Sequence, residues 1–181
     1  MNQAHEHTPA VLAHSRRKFL QFAAVGGGAT LLSATSWLPQ ARAAGEADAL
    51  LLSCMDFRLM DDIERYMSGR GLRDKYDHVI LAGASLGAVT DKYPAWNTTF
   101  WEHLDIAMKL HNIHTVIVLD HRDCGAYKVV LGAEHAKDPK VETDTHAAQL
   151  KKLKGQINKK HPKLKVEMLL MALDGKVESI S

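Results

Sequence analysis

From Ala47 onward, short apolar runs alternate with amphipathic stretches, and that alternation constrains the fold more than any other feature of the chain. "ALLLS" (Ala49–Ser53) is apolar almost throughout, as a strand covered on both faces must be. "LMDDIERYMSGRG" comes next, with Leu59, Ile63, Tyr66 and Met67 on one helical face and a Gly-rich stop. "HVILAG" (His78–Gly83) reads as a second strand, and "GASLGAVTDKYP" as a loop of small residues. Pro94 opens a longer helix in which Trp96, Phe100, Leu104 and Met108 recur every four positions, with Asn112 as its left-handed stop. "TVIVLD" (Thr115–Asp120) is a third strand, and a helix starting around Cys124 runs through "GAYKVVL". "HAKDPKVETD" reads as a surface loop, Thr143–Lys160 as an amphipathic helix, "KVEMLLMA" (Lys165–Ala172) as a fourth strand and "KVESIS" as a short edge strand.

Strands alternating with helices require right-handed crossovers and a mostly parallel sheet. The expected fold is therefore α/β, a four- to five-stranded sheet of order 2-1-3-4 flanked by helices. Open sheets of this kind bind ligands beyond the carboxyl ends of their strands, where the strand order reverses. With order 2-1-3-4, that point lies between the first and third strands.

The first 43 residues read differently. Arg16-Arg17 precede a weakly apolar run, and Ala41-Arg42-Ala43 fits a small-x-small cleavage site. This pattern resembles a twin-arginine export signal, so residues 1–43 are expected to be removed and residues 44–181 to form the working domain in the periplasm or otherwise outside the cytoplasm. Three glycines make the run a poor spanning helix, so no stable membrane insertion is expected after removal. Residues 1–43 hold four of the 23 Lys and Arg and one of the 21 Asp and Glu, which leaves 19 basic against 20 acidic side chains, a charge of −1. That balance excludes a nucleic-acid partner recognised by a basic face.

The chain has two cysteines, each at the end of an expected strand. Cys54 lies in "SCMDFR" after the first, Cys124 in "DHRDCG" after the third, with His121 three residues before it. Singly, each reads as a small buried hydrophobe or a helix cap. Brought together at one crevice, two thiolates and an imidazole make three ligands for Zn²⁺ with one position open, the arrangement of a catalytic zinc site. The absence of a CxxC pair argues against a thioredoxin-like dithiol. Two thiolates neutralise the ion, so a nearby cation has work to do, and Arg58 supplies one. Asp56, two residues away, can accept a hydrogen bond from a water on the metal while Arg58 holds it, or can itself take the fourth position. His103, His111, His114 and His146 are assigned no role beyond packing or solvation, and the lysine run from Lys151 to Lys165 is read as a solvated helix face.

These residues resemble those of the β-class carbonic anhydrases. That family carries Cys-x-Asp-x-Arg after its first strand and His-x-x-Cys-Gly after its third, here "CMDFR" and "HRDCG". The stretch "FWEHLDIAMKLHNIHTVIVLD" follows the same layout, and the similarity runs from about Ala49 to Asp174. The resemblance implies zinc held by Cys54, His121 and Cys124, with Asp56 and Arg58 as the catalytic dyad. It also implies reversible hydration of carbon dioxide to bicarbonate by zinc-bound hydroxide, in a homodimer or higher homo-oligomer. Three positions depart from the family's habit. Phe57 stands where a serine is usual. The loop "LAGASLGA" lacks the usual Asn residues, leaving Gly83 and Ser85 as the expected pocket donors. Asp120 replaces the glycine that commonly precedes the zinc histidine. Phe57 and the Asn-free loop would also suit a zinc hydrolase of carbonyl sulfide or carbon disulfide. Two readings of a different class stay open: a non-catalytic zinc-binding protein and a reversible dithiol.

Overall fold

The computed structural model describes residues 45–181; the expected export signal and its cleavage position near Ala44 lie outside the described residues. Strand β1 (Ala49–Ser53) is buried along its whole length and lies in the interior of the sheet. It pairs in parallel with β2 (Tyr76–Ile80) on one side and β3 (Thr115–His121) on the other. β3 pairs in parallel with β4 (Lys165–Met171), and β5 (Val177–Ser179) closes the edge antiparallel to β4. The order β2-β1-β3-β4-β5 is the expected 2-1-3-4 with the short edge strand added.

Side-chain alternation along the central strands feeds two cores. Leu50, Leu52, Val116 and Val118 face one way, against Phe100 and Leu104 of α3 (Pro94–His111) and Leu150, Leu153 and Ile157 of α5 (Pro139–Lys160). Leu51, Ile117 and Leu119 face the other way, against Ile63 and Met67 of α1 (Met60–Gly69). Burying a leucine fully contributes roughly 1.5–3 kcal/mol, and Leu50, Leu51 and Leu52 are all fully buried in succession. β1 is thereby hard to displace and a rigid base for the residues past its carboxyl end. Asn112 does end α3 in a left-handed conformation, φ 53°.

Three expected boundaries move. β2 runs over Tyr76–Ile80 rather than His78–Gly83, because the chain turns after Leu81: Gly83 and Ala84 both take positive φ, and the Ala84 amide bonds back to the Leu81 carbonyl at 3.0 Å. The small-residue loop contains a short buried helix, α2 (Ser85–Val89). Gly87 makes that possible, since a Cβ there would sit 2.6 Å from the Ala82 carbonyl oxygen. The expected loop "HAKDPKVETD" is a 3₁₀ turn (Ala133–Ala136) followed directly by α5, which starts at Pro139 with Asp138 capping the amides of Lys140 and Val141. Helix α4 (Gly125–Leu131) begins one residue after Cys124. Among the described residues, no helix is long and apolar enough to cross a membrane.

Candidate metal centre

The register places the site. Ser53 of β1 pairs with Leu119 of β3, so Cys54, one step past β1, comes level with Asp120 and next to His121. The strand order reverses between these two strands, the position an open parallel sheet offers a ligand.

Cys54, His121 and Cys124 are all buried, and their ligand atoms lie within 4.8 Å of one another. The two sulfurs are 3.9 Å apart. Two sulfurs each about 2.3 Å from one tetrahedral ion would stand about 3.8 Å apart. His121 Nδ1 donates to the carbonyl oxygen of Arg122 at 2.8 Å. That bond assigns the lone pair to Nε2, which is buried and has no hydrogen-bond partner. An orphaned imidazole nitrogen beside two thiols is costly without an ion and well matched to one. The donor set fits a divalent metal.

The same crowding sets the protonation of the thiols. The Cys124 thiol donates toward Cys54 and, with help from His121 and the Gly83 amide at 3.3 Å, holds the Cys54 thiol far below its usual range despite burial. Cys124 is pushed up by the same contact and by burial. Burial draws the His121 imidazole down, but the Cys54 thiolate outweighs it and the net direction is up.

Asp56 and Arg58 stand at the rim. Arg58 grips Asp56 with two parallel bonds, Nε to Oδ1 at 2.9 Å and NH2 to Oδ2 at 2.8 Å. This guanidinium holds the Asp56 carboxyl at about 2, below the ordinary carboxylate range. Asp56 Oδ2 remains 3.8 Å from His121 Nε2. Asp56 is paired with Arg58 and is not among the three clustered ligand residues.

A cavity of about 380 Å³ opens onto Cys54 and Asp56. Its remaining walls are Met55, Phe57, Ala82, Tyr93, Trp96, Gly125, Ala126, Val129 and Val130. Phe57 thus lines it, with 86% of its surface exposed at the mouth. Gly83 and Ser85 do not. The Gly83 amide is spent on the Cys54 sulfur, and Ser85 is fully buried with its hydroxyl on Asp120 at 2.6 Å.

Several residues gain a place here that the sequence alone does not give them. Asp123 takes Arg58 from the other side, Oδ2 to NH1 at 3.0 Å and carbonyl oxygen to NH2 at 3.2 Å, and is itself paired with Lys128. Glu142, in the first turn of α5, accepts the Asp123 amide at 2.6 Å and Arg122 at 3.1 Å. Asp123 carries a sequence signal, since it lies inside "HRDCG"; Glu142 carries none, because its segment has the composition of a loop. His146, expected only to pack, is fully buried with Nδ1 2.9 Å from Asp120 Oδ2.

Comparison with known proteins gives a family and a fold. Residues 45–181 match the model of a family described as "Putative carbonic anhydrase". An uncharacterized protein of Rickettsia conorii is 47% identical over 135 residues, 75% of this chain and 73% of that protein. Among solved structures, β-carbonic anhydrase isoform I of Trichomonas vaginalis superposes with a TM-score of 0.52 at 14% identity, covering 97% of this chain and 98% of that one. One of two tetrameric β-carbonic anhydrases from Sordaria macrospora gives a TM-score of 0.50 at 11% identity, covering 94% and 95%. At such identities the superpositions show the fold alone, which is that of the β-class enzymes, and the family match supplies the rest: the chain belongs to the family described as putative carbonic anhydrases.

Proposed function

We propose that this lyase-type enzyme catalyses the zinc-dependent, reversible hydration of carbon dioxide to bicarbonate. The observation that carries the reading is the cluster itself: two sulfurs and a buried, unpartnered imidazole nitrogen within 4.8 Å, beside a carboxylate locked to an arginine. Cys54, His121 and Cys124 would hold the ion, which when bound supplies the Lewis acidity that makes water nucleophilic near neutral pH. The protein's own groups do the positioning. Asp56 stays ionised across the neutral range, so it acts as a hydrogen-bond acceptor that orients the attacking water rather than as a store of protons. Arg58 fixes its two oxygens. The apolar cavity walls admit a small, uncharged, linear substrate and give a charged product little to hold.

The same walls favour a second reading, hydrolysis of carbonyl sulfide or carbon disulfide, because no side-chain amide faces the cavity and Phe57 and Met55 make its mouth apolar. Metal analysis of the purified protein, combined with stopped-flow carbon dioxide hydration and carbonyl sulfide consumption, separates these readings. One zinc per chain and fast carbon dioxide exchange are expected. Zinc without either activity would leave a binding protein, and two thiols cycling without stoichiometric metal would leave a redox pair. We also propose that residues 1–43 direct twin-arginine export and that the working protein is a homodimer or higher assembly. Arg16→Lys with Arg17→Lys should stop processing, and light scattering should give a multiple of the processed mass.

A further inference from the structure

Asp120 is a fully buried carboxylate directly behind the metal centre, and four donors converge on it. Oδ1 accepts the Ser85 amide at 3.0 Å. Oδ2 accepts the Ser85 hydroxyl at 2.6 Å, the Tyr127 hydroxyl at 2.6 Å and His146 Nδ1 at 2.9 Å. Asp120, Ser85, Tyr127 and His146 each expose 1% or less of their surface. Burying a carboxylate is expensive, and apolar packing would be cheaper if packing were all that was needed.

The donors come from the segments that carry the metal site. Ser85 lies two residues after Gly83, whose amide holds the Cys54 sulfur at 3.3 Å. Asp120 itself precedes His121; strand alternation sends Asp120 to the Val116–Val118 side and His121 to the Ile117–Leu119 side. Tyr127 lies three residues after Cys124, in α4. His146 braces the group from α5, its ring 3.9 Å from that of Tyr127. One carboxylate thus ties together the turn after β2, the end of β3 and the start of α4.

We infer that Asp120 is a positioning residue for the metal centre, holding Cys54, His121 and Cys124 at ligating distance through the Ser85–Tyr127–His146 cluster. The inference rests on the proposed metal site but not on the substrate. Removing a group that orients ligands from behind typically weakens metal affinity by about 10–100-fold.

The test measures zinc dissociation constants by competition with a chromophoric chelator on the full chain, with the visible spectrum of the cobalt-substituted protein and thermal unfolding recorded beside them. Asp120→Asn should weaken zinc binding about 10–100-fold and alter the cobalt ligand-field bands. Ile157→Val, a mild core change on the same helix as His146, should leave both untouched whatever it does to the melting temperature. Should Asp120→Asn not fold, Tyr127→Phe and Ser85→Ala each remove one donor and should weaken zinc severalfold. Unchanged affinity and cobalt spectrum in Asp120→Asn, or in both donor variants, overturns the inference. So does an affinity that merely tracks melting temperature through Ile157→Val. Unmutated protein that takes up no metal ends the metal reading together with this one, whereas normal uptake with an unaffected Asp120→Asn ends only this one.

Discussion

Two carboxylates flank the same candidate metal centre and live in opposite surroundings. Asp120 is sealed behind it, held by a serine, a tyrosine and a histidine from three elements. Asp56 stands at the rim and is held by Arg58, whose side chain is 36% exposed and backed by Asp123. The sealed group has almost no access to water. The rim group keeps a cation partner and access to the cavity, so it can meet a substrate. On the proposed reading, rigidity and chemistry are housed apart in this fold: the first inside the sheet's carboxyl edge, the second on the turn after β1.

The proposed ligands between the two carboxylates should carry the heaviest loss. Cys54→Ser should leave less than about a tenth of an ion per chain and reduce activity to background, with a lower melting temperature, since metal affinity is also folding free energy. Elemental analysis and calorimetry check this. Full zinc occupancy in that variant would remove Cys54 from the ligand set.

Asp56→Ala should retain zinc and lose about 10²-fold or more in kcat, the scale of misplacing a reactant that the site positions. An emptied site in this variant would mean that Asp56 binds the metal, contrary to its pairing with Arg58. Asp123→Asn asks whether the rim needs its backing. It weakens a charge-assisted bond to Arg58, and a loss of about 1.4 kcal/mol of positioning corresponds to about a tenfold drop in kcat/KM. A rate equal to wild type would show that Arg58 needs only Asp56.

Titration tests the rim pair in another way. Arg58 holds the Asp56 carboxyl below the ordinary value, at about 2, so the pair's contribution to stability is complete above about pH 4 and fades as pH falls toward 2. Arg58→Gln should return the Asp56 titration toward about 4, read by carboxyl carbon NMR. A midpoint that stays near 2 would assign the depression to something other than the guanidinium.

The rim is far more legible in the sequence than the sealed cluster, for a physical reason. Cys54, Asp56 and Arg58 lie within five residues, and His121 and Cys124 within four, each set at the end of an apolar strand run, so strand order alone brings them together. The cluster on Asp120 needs His146, 26 residues away on a helix whose first turn has the composition of a loop, and Ser85, on a five-residue helix that its glycine disguises. The Asp138-Pro139 pair does mark the true start of α5, as an N-cap followed by a first-turn proline. Nothing local marks Asp120 as a hub. A buried polar cluster is specified by packing among distant elements, which periodicity does not report.

The mildest change belongs to the cavity mouth. Phe57 is held by little, with 86% of its surface exposed, so Phe57→Ser should change the melting temperature by no more than a surface substitution does, within about 0.5 kcal/mol of stability. Its influence is on what enters. A serine there puts a hydroxyl at a mouth otherwise formed by Met55, Trp96 and Val129, which favours hydrated, polar species over apolar ones. The ratio of carbon dioxide to carbonyl sulfide turnover should therefore rise severalfold, about 1 kcal/mol of discrimination at an apolar contact. Both rates are measured on one preparation, so errors in active-site concentration cancel. A ratio that does not move would place selection at the less exposed lining residues Ala82, Ala126 and Val130.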